Sequence, residues 1–376
     1  MNGWLTHLLR PVCGLAATLL AGVLATALAI GGEAVTAIST GAFDLDVDQM
    51  LISPWALSLL MFGGIDTAVP PLTAVVLVCI GFGWVRRSRP DEGLQALAAQ
   101  AVLEGLVLAA LVGLLSTATG VLDLGTPLMA PATGTAAGAL VVRPVNAILV
   151  ALGLGILASL VTGLSALPAT TWRRWLRTPA AVPALGGAGL GALRGTAAFV
   201  RATGPWLLVL LAFGAVLEAL QADSGDLPEV TGAALQQLAS VVVLTGPDLA
   251  LLMAAAASAG FAGGGLQPWL GSATTSEWMW LALPILLHGA VAAGRHAVAH
   301  QIALPADRVL WRVAHVGPLV AVAMGVPLLA LIAWLEPGAR TGLLWLGILV
   351  TVTAAIAAMH AQRWPSLRRR SATAAG

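Results

Sequence analysis

Three groups of residues in this chain have the types and spacing to do chemistry. The first is Gln100 and Glu104, one turn apart within the apolar run LQALAAQAVLEGLVLAALVGLL, 94–115, so that both fall on one face of a helix. At 1.5 Å per residue Glu104 sits roughly 15 Å into that helix, near the middle of a bilayer. An ionisable group at such a depth is costly, and is by default a functional hypothesis: a proton site or a substrate ligand. The alternative is a carboxyl that stays neutral and bonds Gln100 or a neighbouring helix, joining helices together. No basic residue in another predicted span faces Glu104, and the run VGPLVAVAMGVPLLALIAW in the second half of the chain carries no matching charge. Both points favour the hydrogen-bonding reading.

The second group is Gln237, Gly246, Pro247 and Asp248 in ALQQLASVVVLTGPDLALLMAAAASAGFAGGG, 234–265. Pro247 lacks a backbone donor where a helix would have to continue. The segment therefore reads as two half-helices that enter from the outer face and turn back, and in a transporter Gln237 and Asp248 would be its outer-side polar lining. A shorter apolar run, DQMLISPWALSLLMFGG at 48–64, has the length of a re-entrant, interfacial or buried helix rather than a crossing.

The third group is His288, His296 and His300 in LLHGAVAAGRHAVAHQ. His296 and His300 share a helical face, but zinc wants a third or fourth ligand, and only His315 and Asp307 are near in sequence. These histidines read as interfacial side chains, and no metal or cofactor is expected. Cys13 and Cys79 each lie in an apolar run and read as small hydrophobes. The glycine-rich stretches end in no Gly-Lys-Ser/Thr, and no nucleophile-base or His-Glu-x-x-His arrangement is present. The sequence therefore gives no ground for an enzyme.

These residues need elements to hold them, and composition says what kind. The chain has 376 residues, 59% hydrophobic and 9% charged, far from the usage of soluble domains. Lysine and tyrosine are absent, as in chains from very GC-rich genomes. Apolar windows of the length that crosses a bilayer fall near 11–31, 67–85, 94–116, 145–167, 203–222, 276–294, 313–335 and 342–361. The expected fold is thus an all-α polytopic transmembrane bundle of about eight spans plus re-entrant or interfacial half-helices. The first window, with Arg10 before it and Ala27-Leu28-Ala29 at its end, reads either as an uncleaved anchor or as a signal peptide, with the same orientation.

Arginine placement sets that orientation, because positive residues stay on the cytoplasmic side. With both termini inside, Arg10, Arg86, Arg87, Arg89, Arg173, Arg174, Arg177, Arg194, Arg201, Arg295, Arg308, Arg312, Arg363 and Arg368 to Arg370 all fall on the cytoplasmic face, leaving Arg143 and Arg340 outside. Acidic residues such as Glu33, Asp66, Asp123, Glu229, Asp248 and Glu336 fall opposite. Expected partners are anionic lipid head groups at the plasma membrane and other membrane or envelope proteins, with no nucleic acid. The order of spans, loops and broken segments divides the chain into halves at 1–170 and 200–363. A Pro/Gly/Ala-rich linker at 171–199, including TPAAVPALGGAGLGALRG, joins them and a basic tail follows at 364–376. Four spans per half make a 4+4 arrangement of parallel repeats.

The stretch LTGPDLALLMAAAASAGFAGGG, after an acidic outer loop and within this layout, resembles the streptophobe proteins, polytopic membrane proteins of actinobacteria. It is also similar to permease-like membrane proteins linked to cell division in that phylum, although Asp248 stands where those would carry Asn and LQPWLGS where they would carry a Ser-Pro-Phe-Gly-like segment. The resemblance implies a non-enzymatic structural or scaffold component of the cell envelope or division apparatus. A transporter or permease for a small molecule or lipid, using Glu104, is the alternative that the broken segments and the repeat suggest.

Overall fold

The computed structural model describes residues 3–40, 55, 57–63, 72–85, 94–119, 121–122, 140–141, 143–166, 183–222, 227–261, 281–302 and 340–362. The predicted span at 313–335, Asp307, His315, the glycines after Phe261 and the basic tail fall outside them. The described residues are almost wholly helical. In chain order they form α1 (Gly3–Thr40), α2 (57–61), α3 (Leu72–Trp84), α4 (Leu94–Thr119), α5 (Pro144–Ala166), α6 (Pro183–Ala222), α7 (Leu227–Gln237), a π-helical segment (Leu238–Leu244), α8 (Gly246–Phe261), α9 (Ala282–Ile302) and α10 (Arg340–Gln362). One antiparallel pairing of two-residue strands, β1 (Val121–Leu122) with β2 (Leu140–Val141), lies between α4 and α5.

Among the described residues, four helices are long and apolar enough to cross a membrane: His7–Ala37, Gln95–Thr117, Pro144–Leu164 and Ala198–Leu220. They match four of the eight predicted windows. Three other windows hold shorter apolar helices, Leu72–Trp84, Ala282–Arg295 and Leu343–Ala354. The expected linker is instead helical from Pro183 onward. Proline at a first helical turn costs no hydrogen bond, and the Ala- and Leu-containing sequence behind it sustains the helix despite its glycines.

Two compact units divide the chain. The first comprises Met1–Pro168 with Leu211–Leu249, the second Ala169–Leu210 with Ala250–Gly376. In the first unit α1 is the spine, and its amphipathicity is the reverse of a water-soluble helix. Ala17, Thr18, Ala21, Ala25, Thr26 and Ala29 are buried, while Leu8, Val12, Leu20, Val23 and Leu24 are exposed. Small residues let backbones approach, which is how helices associate where burial of apolar surface gives no advantage over lipid. Gly81 of α3 backs onto the Cys13 carbonyl and Gly14 of α1, and a Cβ at Gly155 of α5 would stand 2.7 Å from the Gly105 Cα of α4. In the second unit the same device recurs, with Gly289 of α9 against Thr203 and Phe199 of α6, and Gly294 against Ala354 of α10.

The short run predicted at 48–64 contains α2, which is a buried element. Leu57, Ser58, Leu59, Met61 and Phe62 are all buried, and the Ser58 hydroxyl pairs with that of Thr18 at 3.0 Å. The helix ends at Gly63, whose φ of 64° is the left-handed conformation that glycine adopts without a Cβ penalty. Asn146 Nδ2 of α5 then donates to the Gly63 carbonyl at 2.5 Å, satisfying a helix-end acceptor that lipid could not.

If backbone-level packing holds α4 to α5, a branched side chain must force the pair apart. Gly155→Val is expected to cost about 1–3 kcal/mol, measured as a lowered unfolding midpoint in detergent micelles, whereas Leu149→Val on the exposed face of α5 should leave the midpoint within about 0.5 kcal/mol of wild type.

Candidate functional site

Glu104 is fully buried on α4, and it has a basic partner after all. Arg10 of α1, only 2% exposed, places its Nη1 2.9 Å from Oε2 and 3.0 Å from Oε1 of Glu104. The expectation that no basic residue of another span faces Glu104 is therefore corrected, while the expectation that it bonds to a neighbouring helix fits this contact. Arg10 precedes the apolar window and counts there as a flanking charge, but its position on α1 falls on the same small-residue face as Gly14, Thr18 and Ala21, and so it turns inward.

Every nitrogen of the guanidinium is used. Nη2 donates to the hydroxyl of Thr162 on α5, and Nε donates to the Phe82 carbonyl near the end of α3 at 3.2 Å. The Phe82 ring covers the cation, with its centroid 5.4 Å from the guanidinium carbon, a favourable cation–π arrangement. Thr162 can accept from Arg10 because its own proton is directed to the Ala158 carbonyl at 2.5 Å. One side chain thus joins α1 to α3, α4 and α5.

His7, one turn before Arg10, completes the cluster. Its Nδ1 lies 2.9 Å from Glu104 Oε1 and its side chain is 21% exposed. It is partly exposed, whereas Arg10 and Glu104 are buried. Gln100, the sequence partner of Glu104, is half-buried one turn earlier on α4, and the ion pair and the imidazole contact come instead from α1. His7 and Thr162 escaped sequence reasoning. His7 had a detectable signal, its i, i+3 spacing from Arg10, whereas Thr162 had none.

The broken segment contains a break where Gly246-Pro247 predicts one. The helix loosens into the π segment Leu238–Leu244, Thr245 forms a turn, and the axis bends by 84° between Glu229–Leu244 and Gly246–Ala255. Asp248 is not a free lining residue. Its carboxylate accepts from the Leu72 N–H at 2.8 Å, the Thr73 N–H at 3.2 Å and the Thr73 hydroxyl at 3.0 Å. It therefore caps α3, supplying acceptors to backbone donors that a helix start leaves without partners. Gln237 is half-buried at the end of α7, on the other side of the π segment in the sequence from Asp248.

Among the described residues no group of three or more His, Cys, Asp or Glu side chains could hold a metal ion. His288 is exposed on α9. Chemically, the Arg10 cluster offers a desolvated, internally neutralised ion pair with one imidazole at its edge.

Removing one member of a buried pair leaves the other charge without compensation. Arg10→Ala is expected to destabilise by about 3–5 kcal/mol, and Arg10→Met combined with Glu104→Leu to recover most of that loss. The check is a double-mutant cycle on detergent unfolding midpoints. Equal losses in the single and double variants would contradict the pairing.

No protein-family model, curated protein or solved structure matches this chain.

Proposed function

We propose that the chain is a multi-pass plasma-membrane protein, with both termini cytoplasmic, that acts as a non-enzymatic scaffold of the cell envelope or division apparatus. The observation that supports this reading best is the state of Glu104. As the most plausible proton or substrate ligand, it has both oxygens taken by Arg10 and one shared with His7. A carboxylate held in this way fastens helices and is poorly placed to bind and release cargo. The glycine-backed contacts fit a protein built for fixed packing, and the assignment to the envelope rests on the streptophobe-like resemblance.

The proposed orientation is supported by the same contacts combined with the arginine pattern. The start of α1, the end of α3, Glu104 in the first half of α4 and the end of α5 meet at one cluster. Successive helices that alternate in direction explain this meeting, and such alternation agrees with the cytoplasmic side that the arginine pattern of the sequence predicts. On this reading α9 and α10 belong to further crossings towards the eight-span, 4+4 layout, α3 forms the helical part of another, and the arginine face lies on anionic lipid.

A permease remains a second reading because of one feature, the break at Thr245 with its π segment, since discontinuous helices often mark transport sites. Crosslinking and affinity capture of the tagged protein from its native membrane separates the two. The scaffold reading expects recurrent enrichment of cell-wall or division proteins over an untagged control. Recovery of the protein alone, with solute binding lost in Glu104→Gln, would favour the permease. For orientation, single cysteines introduced at Ser88 and Thr126 in a Cys13→Ser, Cys79→Ser background should differ. The cysteine at 126 should react with a membrane-impermeant maleimide in intact cells, and that at 88 only after lysis.

A further inference from the structure

Gly14, Thr18, Ala21, Ala25, Ala29 and Gly32 recur every three or four positions and form one small-residue face along α1. Two separate segments share that face. α3 takes its first half: Gly81 backs onto Cys13 and Gly14, so in an antiparallel pair Leu72 stands level with about residue 22 or 23 of α1. α7 takes the second half: Gly232 and Gln236 both meet Gly32, and Gly232 also meets Thr36. Continuing antiparallel through the π segment brings Leu244 level with about Ala25, and Leu244 and Ala25 belong to the same buried cluster. The start of α3 and the end of the 227–244 arm therefore arrive at one height, on one face of the spine.

The two half-helices have no peptide continuity. What joins them is Asp248, three residues past the turn at Thr245, through its three bonds to Leu72 and Thr73. At the turn itself Pro247 supplies no N–H, and the Leu249 N–H donates to the Thr245 carbonyl at 2.9 Å. By contrast, the other end of α3 is clipped by Arg10 through the Phe82 carbonyl, roughly 20 Å away along α1.

We propose that α3 and the 227–244 arm form one interrupted column whose junction is latched by Asp248, and that this latch is where the first unit opens and closes. Release breaks the three Asp248 bonds to Leu72 and Thr73 and frees the first turn of α3 and the π segment. The Arg10 cluster keeps its contacts, so the motion is a local opening about the far end of α3. The inference rests on packing alone and holds whether the chain is a scaffold or a permease.

Hydrogen exchange read by mass spectrometry, on the full chain in lipid nanodiscs, tests it. In Asp248→Ala, amides at 72–76 and 238–250 are expected to exchange at least tenfold faster than in wild type, with 101–109 around Glu104 unchanged. Pro247→Ala returns a backbone donor to the turn and is expected to slow exchange at 241–247. Unchanged rates at 72–76 and 238–250 in Asp248→Ala would overturn the proposal, and so would an equal rise at 101–109, the mark of uniform destabilisation. Should Asp248→Ala not fold, Pro247→Ala decides, since a rate equal to or above wild type at 241–247 contradicts the latch.

Discussion

A guanidinium that cannot reach water must be surrounded by acceptors, and that requirement at Arg10 organises the first unit. Taking a cation out of water is repaid only when geometry is good and every donor is satisfied. Arg10 meets the condition by drawing a carboxylate from α4, a hydroxyl from α5 and a carbonyl from α3. Three helices are thereby fixed in height against α1 at one end of the bundle. A lysine could not substitute, because a single ammonium lacks the planar fork that reaches three directions at once.

α3 is the element this arrangement makes possible. Its 13 residues give a helix of about 20 Å, short of the roughly 30 Å of a hydrocarbon core. A helix that ends inside a packed bundle leaves backbone groups that lipid cannot satisfy. Here both ends are capped by other elements, with a carboxylate at the N-terminal end and a guanidinium at the C-terminal end. Each charge has the sign that its end of the helix dipole favours. Asp248 and Arg10 are therefore two ends of one solution, although 238 positions separate them in the sequence.

Much of this could be read from residue order. Apolar length identified α1, α4, α5 and α6, and Pro247 identified the break, because both signals are local. Glu104 stood out as exceptional for the same reason. Its partner did not, because Arg10 sits at the edge of an apolar window, where an inward-facing charge and a head-group charge look alike unless the face is considered. Asp248 was legible as a polar residue at a break, but its task of capping α3 depends on a contact between distant segments that no periodicity encodes. The helix at 183–195 was misread because a Pro- and Gly-rich composition usually marks a linker, and here it opens a helix of 40 residues.

The spine's buried face of glycine, alanine and threonine, with leucine and valine outward, also reverses the familiar rule of which substitutions a fold forgives. In a water-soluble core the danger is lost volume. Along the spine's buried face there is little side-chain volume to lose, and the outward face can exchange one apolar side chain for another against fluid lipid. The intolerable change is a gain: a single methyl added where two backbones touch pushes whole helices apart, and with them the charges that only fixed spacing keeps paired.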